Sequence, residues 1–290
     1  MYWRNNDMVT DIRPSPIAGR WYESDPNNLS RQVDRYLNQA VLPELNGQVI
    51  GVIAPHAGHR YSGQTAGYAF RCLKGLTPEL VVVVSPMHSA TFRPILTTAH
   101  RAYQTPLGQI PVDQSRVARL DQVLRQAGLP GVVPVANDSE HSLEIELPFL
   151  QRILEKPFML LPIMVHSLDF EVIKALGLSL AEVIRDSQAI MVASTDLSHF
   201  YPENLANALD REMLNQFAAF SPEGVIRADQ NGEGFACGAG PVSAVFWAAK
   251  KLGANAVEVL HHSTSAEQTG DYSSVVGYGA AVLLKRANTL

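Results

Sequence analysis

The segment ELVVVVSP (79–86) places the tightest constraint on how this chain can fold. Four consecutive valines show no polar alternation, so the strand they form must be covered on both faces. Similar apolar, β-branched runs recur at GQVIGVIAP (47–55), MLLPIMV (159–165), AIMVAS (189–194), AVEVLHH (256–262) and SVVGYGAAVLL (274–284). Helical patterns lie between them. Val117, Leu120 and Leu124 keep helical spacing in 113–127, and Val172, Leu176, Leu180 and Val183 do so in 169–185. Val242, Val245, Phe246 and Ala249 follow Pro241, a residue suited to the first turn of a helix. The stretch 95–113 reads as extended chain with a hairpin. The expected fold is a three-layer α/β/α sandwich whose central sheet is mostly parallel, or mixed at an edge. No repeat, low-complexity tract or Gly/Ser/Pro-rich linker interrupts the pattern, so a single domain over 1–290 is expected.

Composition narrows the classes of function. Apolar residues make up 46% of the 290, enough for a sizeable core, and 23 basic against 28 acidic residues leave a net charge of −5. That balance argues against a dedicated nucleic-acid binder, which carries a basic patch. No apolar run approaches the roughly 18 residues that span a bilayer. The polar start MYWRNNDMVTDIRPS lacks the apolar core of a signal peptide. Two distant cysteines, Cys72 and Cys237, suit a reducing compartment. A cytoplasmic protein that touches neither nucleic acid nor membrane is expected.

In open α/β sheets, ligands gather outside the carboxyl ends of the strands. Here those ends are rich in ligand-type residues. The first run enters Pro55-His56-Ala57-Gly58-His59, and the second enters Ser85-Pro86-Met87-His88. The third ends at His166, the fourth at Ser194-Thr195-Asp196-Leu197-Ser198-His199, and the fifth at His261-His262. One such histidine is usually structural, but histidines after several strands predict a shared metal or acid/base site. Cys237 sits in a glycine-rich turn, Phe235-Ala236-Cys237-Gly238-Ala239-Gly240-Pro241, that opens a helix. The helix dipole there favours thiolate, both a nucleophile and a soft metal ligand; a small buried residue in a tight loop is the plainer alternative. Cys72, inside TAGYAFRCLKGL, reads as core packing. In Asp138-Ser139-Glu140-His141-Ser142-Leu143-Glu144, the polar groups could share one face of a helical first turn, solvated or turned to the cleft. Walker, GxSxG, HExxH and CxxC signatures are missing, and Gly58, Gly63 and Gly67 do not match GxGxxG.

PHAGHRYSGQTAGYAF (55–70) resembles the signature opening the core of the Memo-like proteins, known in prokaryotes as AmmeMemoRadiSam system protein B. AGRWYESDPNNL (18–29), SPMHSA, EHSLEIELPFLQ, ASTDLSHF and CGAGPV follow the family's order. The resemblance implies a fold similar to class III extradiol dioxygenases, with a metal pocket at the strand ends. Carried over motif by motif, the metal ligands fall on His56, His88 and Cys237, and a further polar pair on Asp196 and His199. The dioxygenases use two histidines and a glutamate. A cysteine in the glutamate's place departs from ring-cleaving chemistry and shifts preference towards copper(I), zinc or other thiophilic metals.

The resemblance therefore implies a copper- or iron-dependent oxidoreductase, with zinc a further candidate. In it, Asp196 and His199 would orient a ligand or act as acid and base. Two rivals stand beside this reading. One is a non-catalytic module that recognises a small molecule or peptide, as the animal members' association with phosphotyrosine peptides implies, with Trp21 and Tyr22 as an aromatic wall. The other is a metal-assisted hydrolase. Asp196 could instead cap the following helix, and Trp21 and Tyr22 could simply anchor the N-terminal arm.

Overall fold

The computed structural model describes residues 11–287. In chain order the elements are β1 (Ile12–Arg13), α1 (Pro26–Gln39), β2 (Gln48–Ala54), α2 (His59–Arg71), β3 (Leu80–Pro86), β4 (Ile95–Thr98), β5 (Ala102–Thr105) and β6 (Gly108–Pro111). Next come α3 (Gln114–Gln126), β7 (Val133–Val135), a 3-10 turn (Glu144–Glu146), α4 (Leu147–Ile153), β8 (Met159–Val165), α5 (Phe170–Ile184), β9 (Ala189–Ser194) and β10 (His199–Tyr201). The chain continues through α6 (Glu203–Ala218), α7 (Pro222–Asn231), α8 (Ala239–Lys251), β11 (Ala256–Thr264), α9 (Ala266–Thr269) and β12 (Val275–Lys285).

The valine strand behaves as its sequence requires, with every residue of β3 buried. Leu80, Val82 and Val84 join one core with residues of α3, α5, α6, α7 and α8. Val81 and Val83 point the other way, into a core shared with α1, α2 and α4. Two cores on opposite faces of one sheet make the three layers. The sheet order is β10-β12-β2-β9-β3-β8-β4-β7, with β11 also on β12. β2, β9, β3 and β8 run parallel, so their carboxyl ends open on the same edge. β12 and β4 pair antiparallel to this block and make the sheet mixed. The expected hairpin forms, as β5 and β6, but it belongs to a separate small sheet with β1.

Local chemistry explains the helix boundaries. Asp113 and Asp169 each accept a hydrogen bond from the backbone three residues on, at 3.0 Å, and so start α3 and α5. Gly63 and Gly67 serve packing rather than phosphate binding. A Cβ at Gly63 would lie 2.4 Å from the Tyr36 ring, and one at Gly67 would lie 2.5 Å from the Tyr36 carbonyl, so bare glycine lets α1 close on α2. The segment opening at Asp138 departs from expectation. Glu140 and His141 lie in a loop, and helix begins only with the 3-10 turn at Glu144 and α4. Among the described residues, no helix is long and apolar enough to cross a membrane.

Buried charge ties that loop to the N-terminal arm. The Arg13 guanidinium, 1% exposed, meets Asp138 at 2.8 Å, Glu144 at 2.5 Å and the Glu140 carbonyl at 2.8 Å. Glu144 also accepts hydrogen bonds from Tyr22, at 2.7 Å, and from Ser15. Removing one partner strands the others without water. Arg13→Ala is therefore expected to lower stability by about 3–5 kcal/mol, read from equilibrium denaturation. A loss no larger than that of an exposed arginine variant would contradict this account.

Candidate metal centre

Each of the four parallel strands delivers a polar group to the same edge. β2 runs into His56, β3 into His88, β8 into His166 and β9 into Asp196. Cys237 arrives from the turn before α8, close against the β9 end. There Gly238 is required, because a Cβ on it would lie 2.2 Å from the Ser194 carbonyl. One ligand atom each from His56, His88 and Cys237 lies within 4.8 Å of the others, a group that could hold a metal ion. Cys237 Sγ and His56 Nε2 are 3.1 Å apart. In a tetrahedral site with ordinary zinc bond lengths, such atoms stand about 3.5 Å apart, so small side-chain shifts suffice. The donor set, two imidazoles and a sulfur, is also chemically suited to a thiophilic ion.

The two histidines are held differently. His88 Nδ1 is 2.9 Å from Glu140, leaving Nε2 for a ligand. Glu140 is already occupied by backbone N–H groups of His88, His141 and Ser142 at 2.6, 2.9 and 3.0 Å. Burial opposes its ionisation, but the bonds from His88 and the backbone outweigh burial and hold its pKa below the ordinary carboxylate range. The reciprocal effect raises His88, burial notwithstanding. Glu140 and His141 also form a second three-residue donor group with His88; with its oxygens so engaged, Glu140 acts there as an anchor for His88. His56, by contrast, meets the Ser194 hydroxyl through Nδ1 at 2.8 Å. Burial, and then His141 and His88, depress its pKa and keep it neutral.

Cys237 corrects one expectation. Burial, followed by the nearby Asp196 carboxylate, pushes the thiol well above its usual range, and the helix start does not overcome this. Its sulfur accepts a hydrogen bond from the Asp196 N–H at 3.2 Å, a contact ready to support thiolate once a cation is near.

Asp196 and His199 both reach the site region, but not as a bonded pair. Asp196 Oδ1 accepts from the backbone N–H of His56 at 2.8 Å and of Ala57 at 3.3 Å, and Oδ2 is 4.0 Å from His56 Nε2. His199 Nδ1 meets the Leu197 carbonyl at 2.8 Å. Nor does Asp196 cap a helix, because β10 follows it. Burial pushes Asp196 up to about 7, where a carboxyl exchanges protons readily near neutrality. Burial lowers His199 and favours its neutral form.

The remaining candidates separate. His166 lines the same cavity, held by the Met87 carbonyl at 2.8 Å. Trp21 lies against His141, ring centres 4.0 Å apart, at the margin of the site, whereas Tyr22 is an anchor on Glu144. Glu144 belongs to the Arg13 network. His59 is buried against the Ile145 carbonyl. His261 and His262 are engaged elsewhere, with Thr65 at 3.0 Å and Asp210 at 2.8 Å, and so do not join the group. Cys72 is buried, at the end of α2.

Beside the donor group opens a cavity of about 700 Å³. His88, His199 and Cys237 form part of its polar lining, and Tyr201 stacks on Phe235 in its wall, ring centres 5.7 Å apart. Tyr201 and Asp229 carried no recognisable signal in the sequence, and Glu146 lay unremarked inside the EHSLEIELPFLQ motif. Tyr201 sits in β10, Asp229 in α7 and Glu146 in the 3-10 turn, and only folding brings them to the site.

Fold and site together define an α/β protein with a candidate His/His/Cys metal-binding group at the carboxyl edge of a mostly parallel sheet. The chain belongs to the Memo-like family, whose profile, described as Memo-like protein, matches residues 13–282. It is 32% identical over 280 residues to a MEMO1 family protein of Methanopyrus kandleri, covering 93% of this chain and 98% of that one. MEMO1 family proteins of Nitrosopumilus maritimus and Aquifex aeolicus are 31% and 32% identical; the matches cover 93% and 94% of this chain and 98% and 99% of theirs.

The raised Asp196 pKa has a sign that can be measured. An acid whose folded pKa exceeds its unfolded value contributes stability that is full below about 4 and lost as pH rises through about 7. Relative to Asp196→Asn, the metal-free protein should therefore lose stability between pH 4 and pH 7. A stability difference between the two that is independent of pH would refute the assignment.

Proposed function

We propose that this chain binds a thiophilic transition metal, copper or iron with zinc as a further candidate, through His56, His88 and Cys237. In this reading it is an oxidoreductase acting on a small molecule held in the adjoining cavity. The observation that carries the reading is the convergence of the three donors, with a neutral His56 and an anchored His88. A bound copper or iron ion would supply one-electron redox chemistry. The chain's own residues would manage protons: Asp196, poised near neutrality, and His199, with Nδ1 committed to a carbonyl and Nε2 left for a ligand. The stacked Tyr201 and Phe235, with Leu197 and Pro241, would hold an apolar or aromatic portion of the molecule and exclude water. A reducing, cytoplasmic setting suits a site that depends on a free cysteine.

A second reading keeps the pocket without the chemistry. The largely apolar wall suits a module that recognises a peptide or small ligand, with the metal group structural. A metal-assisted hydrolase would instead require zinc with an open water position, with Asp196 or His199 as its base.

Metal analysis decides first. Protein purified under reducing conditions without chelator should carry about one metal ion per chain, and Cys237→Ser should bind copper(I) at least tenfold more weakly in competition titrations while keeping its fold. A hydroxyl is a much poorer donor to a soft ion. Unchanged affinity in both Cys237→Ser and His56→Ala would defeat the proposal.

A further inference from the structure

Glu146 is 1% exposed, yet among the described residues no basic side chain pairs with it. Its Oε1 lies 2.6 Å from the Ser194 hydroxyl, while its Oε2 is buried with no hydrogen-bond partner. Ser194 Oγ has three short neighbours: Glu146 Oε1, the Ser142 carbonyl at 2.7 Å and His56 Nδ1 at 2.8 Å.

The proton count around that oxygen is decisive. A hydroxyl donates one hydrogen bond and accepts two. The Ser142 carbonyl can only accept, so it takes the single Ser194 proton. The other two neighbours must then donate. His56 must carry its proton on Nδ1, and Glu146 must be a carboxylic acid. If Glu146 were ionised and took the Ser194 proton, the Ser142 carbonyl would face a bare oxygen at 2.7 Å. Burial, with a smaller contribution from Asp196, independently disfavours the ionised form.

We infer that Glu146 is a positioning residue. As a buried carboxylic acid acting through Ser194, it locks His56 into the Nδ1–H tautomer and leaves Nε2 free beside Cys237. The inference rests on the reading of His56 as a metal ligand only for its consequence, since the proton arrangement is a property of the metal-free protein. Its chemical meaning is an asymmetry between the two histidines. His88 leans on an ionised carboxylate and becomes more basic, whereas His56 leans on a neutral acid and stays a weakly basic imidazole. Both present the same ring nitrogen to the site. One of them adds no charge to it.

The test uses the full chain, with zinc as the metal probe. In a wild-type minus Glu146→Gln infrared difference spectrum at pH 7, the carbonyl stretch of a protonated carboxyl should appear. Nitrogen-15 NMR of labelled histidines, assigned with His56→Ala, should show His56 wholly as the Nδ1–H tautomer. Glu146→Gln keeps an N–H donor for Ser194 and should preserve both tautomer and zinc affinity. Glu146→Leu, which keeps bulk but not the donor, should mix the tautomers and weaken zinc binding about tenfold to a hundredfold, the usual cost of losing an outer hydrogen bond to a metal-binding histidine.

Should Glu146→Leu fail to fold, the infrared band and Ser194→Ala, which removes the hydroxyl from His56, decide the matter. A carboxylate band in place of the protonated one overturns the inference, as does an unchanged tautomer in Glu146→Leu or Ser194→Ala. If zinc affinity falls in His56→Ala but not in Glu146→Leu, the positioning role fails and the metal site stands. If His56→Ala leaves zinc binding intact, the metal reading fails, and the two spectra still judge the proton arrangement.

Discussion

Covering a parallel sheet on both faces leaves polar chemistry only one place to go. β2, β9, β3 and β8 bury most of their side chains in two opposed cores, and their buried polar groups, Ser85 and Ser194, lie at their carboxyl ends. Past the final apolar residue of each strand the chain must turn, and the turns of neighbouring parallel strands open side by side. His56, His88, Asp196 and the Cys237 turn are neighbours for that reason, although up to 181 positions separate them in the chain. His56 and Asp196 are buried there, so their polar atoms must find partners within the protein, whereas His88 keeps one side towards the cavity.

That requirement accounts for the architecture around the donors. Glu140 folds its own loop around its carboxylate and holds His88. Asp196 gathers the backbone of His56 and Ala57. Ser194 sits between His56, Ser142 and Glu146. The loop that brings Glu140 is in turn moored to the N-terminal arm by Arg13, itself buried against Asp138 and Glu144. Buried ion pairs of this kind add little net stability. Here they specify which loop conformation is adopted, and with it where His88 stands.

Much of this was legible in the chain. Unbroken apolar runs such as Leu80–Val84 announced strands buried on both faces, and the spacing of Leu120 and Leu124 or Leu176 and Leu180 marked the covering helices. Histidines after several such runs marked the edge that carries the candidate metal group. Less could be read where short-range patterns compete with long-range contacts. Glu140 and His141 have helical spacing with Glu144, yet backbone bonds to the Glu140 carboxylate hold them in a loop. His261 and His262 end an apolar run as His56 does, but β11 lies at the sheet margin beyond β12, where Thr65 and Asp210 take them up. The helix start at Cys237 argued for thiolate; burial, a tertiary effect, outweighs it.

Sequence by itself determined the layer architecture, because the period of apolar residues is a local property that decides which faces must be buried. It also determined the family and the residue types available at the strand ends. Only the tertiary structure decided how those residues are partnered: which histidine meets a carboxylate and which a hydroxyl, that Asp196 serves the His56 backbone rather than His199, and that Glu146 lies behind Ser194. Proton positions and pKa values depend on distances of about 3 Å between groups remote in the chain. No local pattern encodes those distances, which is why the chemistry of the site becomes visible only once the chain is folded.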